Sequence, residues 1–119
     1  MNIVLEECIS KLRAYYNTIV DVEGKDDGSL GNNLANLCIR EAINTRIDML
    51  TDLYGGENVH TNATYACFCM EFVDSLVQVL DETAKEKDES AFGRAYKLRI
   101  RKFIDRFKPL RSWLQKTSS

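Results

Sequence analysis

Residues 90–109 read SAFGRAYKLRIRKFIDRFKP. Phe92, Tyr96, Ile100, Phe103, Ile104 and Phe107 recur at steps of three and four. At about 100° per residue they gather in one stripe covering roughly a third of a helical wheel. Arg94, Lys97, Arg99, Arg101, Lys102, Arg106 and Lys108 occupy the remainder. The stretch predicts a basic amphipathic helix that starts near Ser90 and docks through its aromatic stripe. Pro109 lacks a backbone N–H and crowds the preceding turn, so it should kink or break the helix. Residues 110–115 then form a final turn with Trp113 and Leu114 packing back, and residues 117–119 fray.

Three more helices are predicted upstream. Leu5, Cys8, Leu12, Tyr15 and Ile19 line one face of a helix over about 2–20, widened by Val4, Ile9 and Tyr16. Residues 21–28 are acidic, hold two glycines and lack periodicity, which marks a loop. Ser29 can cap a second helix. There Leu30, Leu34, Leu37, Ile47, Leu50 and Tyr54 are assigned to one buried face, with Cys38 and Ile43 beside it. Gly55 and Gly56 end it, because glycine tolerates the left-handed conformation that closes helices. The third helix starts near Thr61 or Asn62 and reaches about Lys87. It is apolar nearly all round, so it should be central or covered by another subunit. With only one neighbouring pair to cover it in a four-helix domain, self-association is expected.

The whole is read as one all-α domain over residues 1–119, an antiparallel four-helix bundle with a short extra turn or helix after Pro109. A chain of 119 residues, 45% hydrophobic and 29% charged, suits one globular core. Its longest mostly apolar run, residues 65–70, falls well short of the ~20 residues a bilayer needs. Glu6 and Glu7 stand where a signal peptide has its basic and apolar regions. The expectation is therefore a cytoplasmic protein with reduced thiols at Cys8, Cys38, Cys67 and Cys69, and the Asn62-Ala63-Thr64 acceptor pattern is taken as accidental.

The net charge of −2 hides a partition. Residues 94–119 hold nine Lys or Arg against the single acid Asp105, a net +8, whereas residues 1–93 hold seven against seventeen, a net −10.

Catalytic and metal-binding patterns fail in turn. Cys67 and Cys69 are two apart and diverge on a helix, and the sole histidine, His60, completes no zinc spacing. Nor is it tied to a cysteine as the base that thiolate catalysis needs. One histidine excludes the two Glu-x-x-His pairs of a di-iron bundle. The acidic loop breaks the calcium-loop pattern at its fifth and sixth positions, Lys25 and Asp26, and no glycine-rich phosphate loop is present. No enzyme activity, cofactor or metal is expected.

The basic helix remains. It is read as a nucleic-acid contact surface built from Arg94, Lys97, Arg99, Arg101, Lys102, Arg106 and Lys108, with Tyr96 and Trp113 adding base stacking where exposed. Against this stand pairing of those cations with the acidic helices and plain solvation. The alternative is a protein-binding regulator, an adaptor or inhibitor of the viral or phage kind, with a groove beside the third helix marked by Phe68, Phe72 and Leu76. The expected partners are thus a second copy, RNA or DNA, and a protein, with a membrane not among them.

Overall fold

A computed structural model describes residues 1–22 and 30–119. The described residues form helices α1 (Ile3–Val22), α2 (Leu30–Tyr54), α3 (Asn62–Lys85), α4 (Ala91–Arg106) and α5 (Lys108–Ser118), with no strand among them. They make an elongated bundle of 49 × 23 × 21 Å. The capping expected at Ser29 and most of the acidic loop lie outside the described residues; Asp21 and Val22 belong to α1.

The helix starts follow from local hydrogen bonding. Asn2 is nearly inaccessible, and its Oδ1 accepts from the backbone N–H of Val4 at 2.7 Å and of Leu5 at 3.1 Å. Its Nδ2 donates to Asn62 Oδ1 at 2.7 Å, so one side chain caps α1 and ties it to the start of α3. Thr61 caps α3 by accepting from Thr64 N–H, and Ser90 caps α4 by accepting from Gly93 N–H, both at 3.1 Å. At the end of α2, Gly55 N–H closes the last turn on Thr51 O at 2.9 Å. The left-handed backbone expected there is not adopted; glycine is needed because a β-carbon would collide with that same carbonyl oxygen.

Phe107 N–H turns back to Ile104 O in a tighter turn, α4 ends at Arg106, and Pro109 sits in the first turn of α5, where no N–H is missed. Beyond the break, α5 is an eleven-residue helix packed on α3, with Leu110 and Leu114 fully buried.

All five helices contribute to one apolar core, from Leu5, Leu12 and Ile19 through Ile39, Ile43 and Leu50, Val73, Leu76 and Leu80, and Ile100 and Phe103, to Leu110 and Leu114. Two expectations change. α3 packs against each of the other four helices, which bury Tyr65, Ala66, Cys69, Val73, Leu76, Leu80 and Ala84, whereas Val79 stays exposed. It also has a solvated stripe, Cys67, Glu71, Asp74, Gln78 and Glu82. Averaged along its length, α3 is nonetheless long and apolar enough to cross a membrane, the one such helix among the described residues. Counting unbroken apolar residues missed this, because Glu71 and Asp74 interrupt the run.

The second change is on α2. Leu30, Leu34 and Leu37 are exposed, while Gly31, Ala35, Asn36, Ile39 and Ala42 are buried with Ile43, Ile47 and Leu50. Leu37 and Leu50 are thirteen residues apart, about 1,300° of rotation, which leaves them roughly 140° apart on the wheel and on different faces. Small residues face inward because α2 and α4 touch: a β-carbon on Gly31 would stand 2.6 Å from Phe92 O and 3.2 Å from the Ala95 β-carbon.

Candidate interaction surfaces

The seven cations assigned to the basic helix divide into three groups. Arg99 turns inward, and its Nε donates to Oδ1 of the buried Asn36 at 2.8 Å, so it braces α4 on α2 rather than facing outward. Lys97, Arg101 and Lys108 are in ion pairs, with Glu89 at 3.0 Å, Asp81 at 3.8 Å and Asp105 at 2.9 Å. Arg94, Lys102 and Arg106 are exposed and form no ion pair among the described residues. Arg106 lies over the Phe103 ring at 4.8 Å. On α5, Arg111 makes a two-pronged contact with Asp74, Nε to Oδ1 at 2.7 Å and Nη2 to Oδ2 at 3.3 Å.

The partition of charge is thus partly satisfied inside the molecule. α3 and the connection after it supply Asp74, Asp81 and Glu89 to the cations that flank them. Each of these pairs has at least one exposed or half-exposed partner, and such pairs typically contribute ~0–1 kcal/mol. Base stacking has less to work with than expected: Tyr96 is buried beneath the Lys87 ammonium, and Trp113 is half-buried beneath that of Lys11.

The residues assigned to a protein groove also separate. Leu76 is fully buried in the core and marks no surface. Phe68 and Phe72 are half-buried around Tyr54: the Tyr54 and Phe68 rings stack with centroids 4.2 Å apart, and Phe72 meets Tyr54 edge-on at 6.4 Å. Two further apolar residues, Met49 and Leu53, are exposed on the α2 side of this seam and were not expected there. Their spacing of four was the available signal.

No group of three His, Cys, Asp or Glu side chains among the described residues converges as a metal site would. The four thiols are free. Cys8 is buried against Cys69, and their contact together with burial pushes the Cys8 thiol up, away from the reactive thiolate. His60 is exposed and packs edge-on against Tyr65 and Phe68.

No known family matches the chain, no curated protein matches its sequence, and no solved structure matches its fold.

Proposed function

We propose that the chain is a non-enzymatic binding module, an antiparallel helical bundle that holds the phosphate backbone of RNA or DNA, free or in a nucleoprotein, along the outer side of α4 and the start of α5. The observation that carries this reading is the set of exposed cations, Arg94, Lys102 and Arg106, that have no carboxylate partner among the described residues. Lys97, Arg101 and Lys108 can join them, because weak exposed ion pairs exchange readily for phosphate. Arg99 is excluded by its bond to Asn36. The antiparallel order is supported by contacts in which one residue number falls as the other rises: Tyr54 with Phe68 and Arg46 with Ser75, then Asp74 with Arg111 and Asp81 with Arg101.

Three to six neutralised phosphates on a duplex correspond to a slope of about −3 to −5 in log affinity against log salt. Fluorescence anisotropy with labelled duplex DNA and single-stranded RNA measures it. Lys102→Glu combined with Arg106→Glu should abolish the interaction, whereas Arg99→Met should lower stability and leave the salt slope unchanged. Absence of binding at low salt, or binding indifferent to the double substitution, removes the reading.

A further inference from the structure

The break between α4 and α5 leaves a cavity of about 250 Å³ against α1, lined by Lys11, Ala14, Tyr15, Pro109 and Leu110. Lys11, Ala14 and Tyr15 stand at i, i+3 and i+4 of α1, so they share one side of that helix. Pro109 and Leu110, from the first turn of α5, form the other wall. At ~30 Å³ per water, the space equals about eight waters, enough for one ring with a short substituent. Its side chains are apolar apart from two groups, the Lys11 ammonium and the Tyr15 hydroxyl.

Both polar groups are held in place, and both donate. The Lys11 ammonium lies over the Trp113 ring at 5.4 Å and meets Glu7 at 3.5 Å, with its side chain 40% exposed. The Tyr15 ring is fixed edge-on against Phe107 at 5.0 Å. Burial pushes the Tyr15 phenol up, so it stays protonated and has a proton to give. That hydroxyl has no hydrogen-bond partner among the described residues. The Glu7–Lys11 contact is an exposed i, i+4 pair, weak enough to yield to a better-placed anion. No carboxylate lines the cavity itself. Two donors, one of them charged, on an otherwise apolar lining select a compact anion with an apolar body. A phosphodiester strand is too large and too strongly hydrated for this space.

We propose that the α1/α5 cavity is a binding site for a small aromatic carboxylate of about the size of benzoate. One carboxylate oxygen accepts from Lys11 Nζ and the other from the Tyr15 hydroxyl, while the ring rests among Ala14, Pro109 and Leu110. A flat, rigid body suits walls that include the Tyr15 and Pro109 rings, and it loses little freedom on binding. Pockets of this kind, apolar with a few placed polar groups, are the usual form of small-ligand sites. The ligand bridges the first and last helices, so it stabilises the folded chain by mass action. The site shares no residue with the cations of the phosphate reading and does not rest on it.

Titrating the isotope-labelled full chain with benzoate, followed through its amide resonances, tests this. The amides of Lys11, Ala14, Tyr15 and Leu110 should shift together and saturate, with an affinity of about millimolar for a body of about nine heavy atoms. Benzamide has the shape without the charge, and acetate the charge without the ring; each should bind at least about tenfold more weakly. Lys11→Met should weaken benzoate about tenfold or more. Tyr15→Phe keeps the ring on Phe107 and should weaken it about fivefold. Ala14→Leu, at an exposed helical position, should fill the cavity and abolish binding while leaving the helical circular dichroism intact. Glu7→Gln releases Lys11 and should tighten benzoate about twofold, a gain that a damaged fold cannot produce. Binding should survive Lys102→Glu with Arg106→Glu, which separates its outcome from that of the phosphate reading. No saturable shift, equal binding of benzamide or acetate, binding untouched by Ala14→Leu, or its loss in that double variant would overturn the proposal.

Discussion

Asp88 shows how much one side chain can do at a helix entrance. Its Oδ1 accepts from both the backbone N–H and the hydroxyl of Ser90, while Ser90 Oγ accepts from Gly93 N–H. These bonds hold the Asp88 carboxyl below its ordinary range, with the hydroxyl bond the larger cause and the Lys97 and Lys87 charges assisting. The folded value is depressed, so the stabilisation is complete above the usual aspartate value of about 3.9 and is lost as pH falls through the lowered one. Amide exchange at Gly93 and Arg94 should therefore accelerate below about pH 4, and Asp88→Ala should make it fast at every pH. An exchange rate at Gly93 that ignores both changes would assign the capping of α4 to Ser90 alone. The same site explains its glycine: a β-carbon on Gly93 would collide with Asp88 O and stand 2.6 Å from Asp88 Oδ1.

At the scale of elements, the crossing of α2 and α4 is set by Gly31. Gly31→Ala drives a methyl to 2.6 Å from Phe92 O, which is backbone and cannot swing aside. Overpacking of this kind typically costs about 1–3 kcal/mol, more than alanine's helix propensity of ~1 kcal/mol returns in the interior of a helix. Chemical denaturation should show Gly31→Ala less stable than the parent, and a more stable variant would mean the two helices separate freely. This crossing also marks where the sequence ceased to be readable. Thr61, Ser90, Gly55 and Pro109 act through bonds to their own neighbours, so the helix ends were legible. The inward face of α2 was not, because Gly31 and Ala35 are buried for their small size while Leu30, Leu34 and Leu37 are more hydrophobic and point outward. Arg99 was misplaced for a related reason: nothing in the spacing of cations on α4 announces that Asn36, sixty-three residues earlier, accepts from one of them. For Arg46 the sequence shows an arginine on a helix, and only the packing shows that Nη2 donates to Ser75 while Nε lacks an acceptor.

For the whole molecule, the longest run of exposed leucines is on α2, where Leu30, Leu34 and Leu37 are the surface a second copy would bury. Covering a leucine fully contributes about 1.5–3 kcal/mol, and these three are already part-buried. Association costs an estimated 4–15 kcal/mol in lost freedom. Counted over the strips of both copies, this gain is of the same order as the cost, which fits a weak, concentration-dependent dimer. Light scattering at micromolar concentration should return the 13.6 kDa of one chain; a stable larger mass that persists in Leu34→Glu would place the contact elsewhere. The contacts between the two ends of the chain also have a bearing on biosynthesis. Tyr15 meets Phe107 edge-on at 5.0 Å, and the Lys11 ammonium lies over Trp113 at 5.4 Å. Phe107 and Trp113 are translated some ninety to a hundred residues after the α1 positions they cover, about 5–20 s at ~5–20 residues per second. Throughout that interval the emerging α1 lacks its last cover, and a growing chain of this protein is more exposed to proteases and chaperones than its finished bundle suggests.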